Sequence, residues 1–256
     1  MIPDRGLEEH LLAEYALVGG MDEVGRGSLA GPVSVGLAIV SRDTPAAFPV
    51  GLADSKLLTP RRREALVDPC RAWATDHAVG HATPEEIDTL GIIGALRLAG
   101  RRALTEVAAR GHLPGAIILD GTTNWLRDAA ATTAGPTPRR GQPSLGQRAG
   151  ATAVRVPPVY TRVKADAHCA VVAAASVLAK VERDALMTAL PDPGYDWARN
   201  KGYASPAHTR ALARLGASEQ HRRSWHLPGL DRLTTRGGAV ADAPAPPPAG
   251  RDAHWA

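Results

Sequence analysis

Four acidic side chains stand where acids are expensive. Asp22 and Glu23 lie between the apolar run 14–20 and a glycine-rich turn, Asp120 ends the apolar run Gly115 to Leu119, and Asp166 lies just ahead of the apolar stretch Ala170 to Ala179. An ionised carboxylate costs several kcal/mol to bury unless something compensates it. Several together repel and raise one another's pKa unless a cation joins them. An oxygen-only donor set suits hard divalent magnesium or manganese, whereas zinc would ask for histidine or cysteine. Such ions take a few carboxylates, with waters and phosphate oxygens completing the shell, and a pair ~4 Å apart can activate a water and stabilise a leaving oxygen. The chemistry that follows is phosphodiester hydrolysis. Each acid taken singly has an ordinary alternative as a cap, turn or salt-bridge carboxylate, and only their joint placement separates the two readings.

The elements that must position these acids can be read from pattern. Residues 14–20 lead into Met21-Asp22-Glu23-Val24-Gly25-Arg26-Gly27, and Pro32 to Val40 is rich in β-branched residues, so two antiparallel strands joined by a glycine-rich turn are expected. Neighbouring side chains on a strand point to opposite faces, so Asp22 and Glu23 can share a site only at a bulge or a strand end. Thr59-Pro60 opens a helix that Pro69 should kink or end. A strand is expected at Ala78 to Ala82. Thr83 with Glu86 has the capping-box form ahead of a helix ending near Arg110-Gly111. Gly115 to Leu119 reads as a buried central strand with Asp120 at its carboxyl end. A mobile surface loop is expected at about 127–152, a strand near 153–156, a long helix from Ala165 to Ala189, and a last helix from Ser205-Pro206 to Gly216. The Ala/Pro-rich residues 233–256, with APAPPPAG, are expected to stay disordered. Strands first and helical connections after give an α/β layered domain with a mixed sheet over residues 1–232.

Composition narrows the partner. The chain has 256 residues, 44% of them hydrophobic, enough for one domain with a sizeable core. No secretory signal is read at the start, and no apolar stretch nears the ~18 residues needed to span a bilayer. Cys70 and Cys169 are too few for a disulfide framework and lack zinc spacing, which suits a reducing cytoplasm. His168 beside Cys169 is a poor nucleophile pair, because adjacent helical residues point about 100° apart. A net charge of +4 suits an anionic partner without proving one. Only four lysines occur, Lys56, Lys164, Lys180 and Lys201, among 30 basic residues, and a compact ammonium at those places is one reading of that economy. On the long helix expected from Ala165 to Ala189, Lys180 lies ~21 Å along the axis from Asp166, so the two cannot share one metal centre and Lys180 is at best a distant phosphate contact or a structural partner.

The run Asp22-Glu23-Val24-Gly25-Arg26-Gly27-Ser28-Leu29-Ala30-Gly31-Pro32-Val33 closely resembles the opening signature of the type II ribonucleases H. Asp54-Ser55-Lys56, Glu86-Ile87-Asp88, Leu119-Asp120-Gly121, Lys164-Ala165-Asp166, the block 173–180, Asn200-Lys201-Gly202-Tyr203 and His221-Arg222-Arg223-Ser224-Trp225 resemble the later blocks in order, so the likeness runs from about 15 to 228. It implies a ribonuclease H-like layered fold, a mixed central sheet flanked by helices with a C-terminal helical extension. It casts Asp22, Glu23, Asp120 and Asp166 as catalytic, metal-binding acids for Mn²⁺ or Mg²⁺, two ions with substrate bound. The Gly25-Arg26-Gly27 turn would read the ribose 2′-hydroxyl through its backbone, Tyr203 would stack on the neighbouring deoxyribose, and Lys56 would meet a phosphate. The implied substrates are RNA–DNA hybrids and ribonucleotide-containing duplex DNA, cut 5′ of a ribonucleotide; nothing in the sequence suggests an obligate oligomer, and a monomer is expected. Ala165 where glycine is common, Gly91 where asparagine is usual, and the long 127–152 loop depart from the family pattern. A type III enzyme is not expected, since the acidic signature begins about twenty residues in. A non-catalytic nucleic-acid binder and a junction resolvase are the competing classes; the four acids argue against the first, and the second would not need the ribose-reading turn.

Overall fold

The computed structural model describes residues 2–127 and 154–230; the expected insert beyond Arg127 and the expected tail lie outside the described residues. In chain order the elements are α1 (Gly6–Leu12), β1 (Leu17–Val24), β2 (Val33–Ser41), α2 (Pro60–Trp73), β3 (Asp76–Ala82), α3 (Pro84–Ala109), β4 (Ala116–Asp120), β5 (Val159–Arg162), α4 (Ala165–His168), α5 (Ala170–Ala189), α6 (Trp197–Asn200) and α7 (Pro206–Leu215), with one 3₁₀ turn at Ser55–Leu57. The sheet order is β3-β2-β1-β4-β5. β1, β2 and β3 form an antiparallel meander, while β4 lies parallel to β1 and β5 parallel to β4. This is the mixed sheet expected, and parallel β4 and β5 bring their carboxyl ends to the same edge as that of β1.

Alternation along the strands divides the core. Val18, Ala38, Val40, Ala116 and Ile118 pack beneath α1, α2 and α5, while Met21, Val35, Leu37, Ile117 and Leu119 pack against α3. Asp22 and Asp120 share the parity of Val18 and Ile118, so both belong to the α5 side; Glu23 has the opposite parity. At Gly36 the α5 backbone comes against the sheet, where a Cβ would stand 2.2 Å from the Ala175 carbonyl oxygen. Only glycine permits that approach. A third cluster joins Leu29, Ala30, Met187, Tyr195, Trp197, Leu212 and Leu227, and fastens α6 and α7 onto the turn after β1.

Of the two alternatives that let Asp22 and Glu23 share a site, the strand end is the one that occurs: β1 has no bulge, and its ladder with β2 runs regularly from Leu17↔Ser41 to Val24↔Ser34. Four local expectations change. Pro69 neither ends nor breaks α2, whose buried Leu66, Cys70 and Trp73 hold the helix together across the one missing N–H. The strand expected near 153–156 forms instead at Val159–Arg162, because Pro157 and Pro158 have no N–H to give a ladder. α3, with its Thr83–Glu86 capping box in place, is interrupted at Gly91 (φ 67°, ψ 165°). The long helix from Ala165 is two helices parted at Cys169, whose backbone is extended (φ −112°, ψ 122°). There Asp4 takes over the backbone pairing: its N–H donates to His168 O and its carbonyl accepts from Ala170 N, both at 2.9 Å.

Candidate active site

Three of the four acids leave the sheet edge or its next turn together. Asp22 is two residues from the end of β1, Asp120 ends β4, and Asp166 is on the one-turn helix α4 that follows β5. Asp120 Oδ1 accepts the Ala165 amide at 2.6 Å, which ties β4 to the start of α4 and so to Asp166. Asp166 Oδ2 accepts Lys56 Nζ at 2.9 Å, and the same ammonium is 4.0 Å from Asp54. Asp22, Glu23, Gly25, Arg26, Gly27, Lys56, Asp120, Lys180 and Tyr203 line one cleft of about 240 Å³. Glu23 reaches this rim from the opposite face of the strand because β1 ends one residue later, and its Oε1 accepts Arg26 Nη1 at 3.1 Å.

Electrostatics follow from the burial. Burial pushes the Asp22 carboxyl up to about 7 against the Ser176 hydroxyl and the Lys56 ammonium, with Glu23 and Asp166 adding to the rise. Asp120 moves the same way, through burial and Asp166. Despite its own desolvation, Lys56 is held protonated by Asp166 and Asp22. The site is thus an anionic pocket that draws in the Lys56 ammonium. Among the described residues no three His, Cys, Asp or Glu side chains converge tightly enough to hold an ion alone. The donors are all oxygen, and divalent ions that keep waters and bind substrate phosphate need only one or two carboxylates each, so the set fits magnesium or manganese.

Several residues here were not assigned roles from the sequence. Ser176 donates to Asp22 and is itself paired with Ser55 Oγ at 2.8 Å, linking the acid to the Asp54-Ser55-Lys56 turn. Arg183 and Arg222 are fully buried and turn their guanidinium groups on backbone carbonyls and one hydroxyl. Arg183 donates to Pro32 O, Ala30 O, Lys201 O and Ser28 Oγ. Arg222 donates to Gly25 O at 2.6 Å, Arg26 O at 2.8 Å and Gly31 O at 3.2 Å. A Cβ on Gly25 (φ 81°) would fall 2.0 Å from Arg183 Nε, so the turn must carry glycine there. Asp88, in the α3 first turns, accepts the Arg223 and Ser224 amides and holds the segment carrying Arg222.

α5 presents one stripe to all of this. Ser176, Lys180, Arg183 and Met187 are spaced by 4, 3 and 4 residues and meet, in order, Asp22, the cleft, the glycine turn and Gly31. Lys180 therefore borders the cleft despite its distance from Asp166 along the chain, because Asp166 is not on that helix. It pairs with Asp184 at 2.7 Å. The signal was present as lone polar residues at helical spacing in an apolar run. Lys201, the other lysine of interest, donates to Ala198 O at 2.7 Å rather than entering the cleft. The thiols are inert, since burial pushes Cys169 up to about 11 and Cys70 to about 12. A chain Ser34–His81–Glu182 has hydrogen bonds of 2.7 and 2.9 Å but Ser34 is fully buried, which denies it a substrate.

His208 and His221 close the network behind the turn, with their Nε2 atoms 2.9 Å apart. Burial and His208 depress His221 to about 4, with Arg223 adding and the Ser218 amide opposing; burial lowers His208 too, against Tyr203 O and Asp192. The unfolded imidazole protonates near 6.5, so the unfolded state binds more protons between the two values. Stability is expected to be full above pH 6.5 and to fall as pH drops toward about 4, by up to about 3 kcal/mol for His221. Urea midpoints across that range should fall more steeply in the native chain than in His221→Gln; equal slopes would contradict it.

A mixed sheet of this order, with carboxylates at adjoining strand ends, defines a ribonuclease H-like fold. Ribonuclease H2 from Pyrococcus horikoshii OT3 shares it, with a TM-score of 0.55 and 23% identity over 87% of this chain and 100% of that one. So does Bst-RNase HIII, solved in complex with Mn²⁺, with a TM-score of 0.58 and 21% identity over 86% of this chain and 70% of that one. A model of the family described as Ribonuclease HII matches residues 19–227. Ribonuclease HII of Streptomyces avermitilis is 44% identical over 211 residues, covering 82% of this chain and 76% of that protein. The chain belongs to the ribonuclease HII family, the type II ribonucleases H. Among the described residues no helix is long and apolar enough to cross a membrane.

Proposed function

We propose that this chain is an endonuclease that hydrolyses the RNA strand of RNA–DNA hybrids and nicks on the 5′ side of ribonucleotides embedded in duplex DNA, leaving 5′-phosphate and 3′-hydroxyl ends. The observation that carries it is the Arg222 grip on the Gly25 and Arg26 carbonyls beside the acid cleft. In a trans peptide the N–H opposes the carbonyl, so pulling those two carbonyls inward aims the Arg26 and Gly27 amides outward. Amides so aimed can engage a sugar hydroxyl, and the 2′-hydroxyl is the group that distinguishes RNA from DNA.

Asp22, Glu23, Asp120 and Asp166 would hold Mg²⁺ or Mn²⁺, and the Mn²⁺ in Bst-RNase HIII supports that choice. Two such ions would supply a water activated at neutral pH and charge stabilisation for the leaving oxygen. The protein's own work is positioning. Lys56 neutralises Asp166 and reaches from an exposed turn toward a backbone phosphate, which fixes the duplex without reading sequence. Tyr203, 38% exposed at the rim, offers its ring to the sugar next to the ribonucleotide. The partners are hybrid and ribonucleotide-containing duplexes, and the chain acts as a monomer.

The test is a nicking assay on DNA duplex carrying one ribonucleotide, an all-DNA duplex and a branched DNA junction, each with Mg²⁺ or Mn²⁺ and with EDTA. Metal-dependent cutting of the first alone is expected. Binding without cutting, or cutting of the junction, would overturn the reading.

A further inference from the structure

The buried histidine pair does more than fill the C-terminal extension. His208 Nδ1 is 2.9 Å from the Tyr203 carbonyl oxygen, which can only accept, so that nitrogen carries a proton. In the neutral ring Nε2 is then a lone pair, and it can bond His221 Nε2 only if His221 supplies the hydrogen. That leaves His221 Nδ1 as an acceptor, where it meets the Ser218 amide at 3.0 Å and the Ser218 hydroxyl at 2.9 Å. Every ring nitrogen has a partner and one fixed role, with His221 Nδ1 accepting from both Ser218 donors. Both rings are at most 1% exposed, so no water competes.

The two ends of this chain are the two substrate-facing features of the proposed function. One end is the backbone of Tyr203, whose preceding residue, Gly202, accepts the Leu29 and Ala30 amides. The other is the segment 218–222, where Gln220 O accepts Gly31 N, Leu29 O accepts Arg222 N, and Arg222 grips the Gly25 and Arg26 carbonyls. We propose that the directional His208–His221 link sets the separation between the tyrosine loop and the glycine turn, and thereby the enzyme's preference for a ribonucleotide followed by deoxyribose over a continuous hybrid. Both residues are positioning residues, acting through Tyr203 and Arg222. The inference rests on the substrate reading above, in that the spacing matters only if the turn and the tyrosine contact adjacent sugars.

Two measurements on the full chain decide it. Imidazole ¹⁵N spectra at about pH 7.5, where an unperturbed histidine is already mostly neutral, should show His208 as the Nδ1–H tautomer and His221 as the Nε2–H tautomer. The opposite tautomer at either ring, or an imidazolium, would overturn the link whatever the enzyme cuts. The second measurement is the ratio of kcat/KM for an embedded single ribonucleotide to that for a continuous hybrid. His208→Gln keeps a donor for Tyr203 O and an acceptor for His221, and should hold the ratio within about twofold, while His208→Phe keeps the volume but neither bond and should lower it about tenfold, the worth of roughly one buried hydrogen bond. A folded His208→Phe with the native ratio would sink the proposal. A native chain that cuts neither substrate would instead defeat the nuclease reading, and the spectra would still stand.

Discussion

Asp22→Asn is expected to lose cleavage by roughly 10³-fold or more while the thermal midpoint stays level or rises, because a divalent-ion site supplies several kcal/mol of transition-state stabilisation and about 1.4 kcal/mol is a factor of ten. The amide keeps the shape of the acid, its oxygen can still accept the Glu23 amide that Asp22 now holds, and its NH2 can donate to the Ser176 hydroxyl, which is free to turn. What it loses is the charge. In the folded chain that charge is costly, since burial pushes Asp22 up to about 7 and Glu23 and Asp166 repel it. Removing an uncomfortable buried carboxylate relieves the fold even as it disables the site. Single-turnover nicking with Mn²⁺ and a melting scan on the same preparation check both halves. Native turnover in Asp22→Asn would show that the acid is structural.

Arg222→Ala should cost about 3 kcal/mol of stability and, separately, most of the preference for a ribonucleotide, because each buried carbonyl left without a partner costs on the order of 1–3 kcal/mol. The guanidinium donates to three carbonyls, of Gly25, Arg26 and Gly31, and of these Gly25 O keeps the Ser28 hydroxyl at 2.9 Å when it is lost. Part of the loss is offset, since Arg222 is itself a buried cation beside Arg183, pushed down to about 9 by burial and that neighbour. Arg222→Lys is the sharper variant. An ammonium keeps the charge but cannot fan out to three carbonyls as a planar fork does, so the turn should loosen with less global destabilisation. Cleavage of a single embedded ribonucleotide is expected to fall about 100-fold, the equivalent of two hydrogen bonds, with a smaller loss in duplex binding. Urea denaturation and kcat/KM on that substrate measure the two effects. A lysine variant with native selectivity would mean that the turn holds its shape unaided.

Much of the fold was legible because its signals are local. β-branched runs, the Thr83–Glu86 capping box and the Asp120 strand end each depend on a handful of neighbours. Two of the misreadings trace to distant parts of the chain that no local pattern announces. Asp4 splits the helix at Cys169, and the core face of α2 carries it through Pro69.

The sequence by itself determined which residue types were available: four acids beside apolar or glycine-rich segments, a Gly-Arg-Gly turn, and a scatter of polar residues at helical spacing on an apolar run. Only the tertiary structure decided that β1 and β4 lie side by side and parallel, that a regular strand end rather than a bulge admits both Asp22 and Glu23, and that Arg183 and Arg222 turn inward to hold the loop. The physical reason is that a side chain's direction along one element is local geometry, whereas the partner that satisfies a buried charge or carbonyl lies up to 197 residues away, as between Arg222 and Gly25. No spacing rule reaches that far.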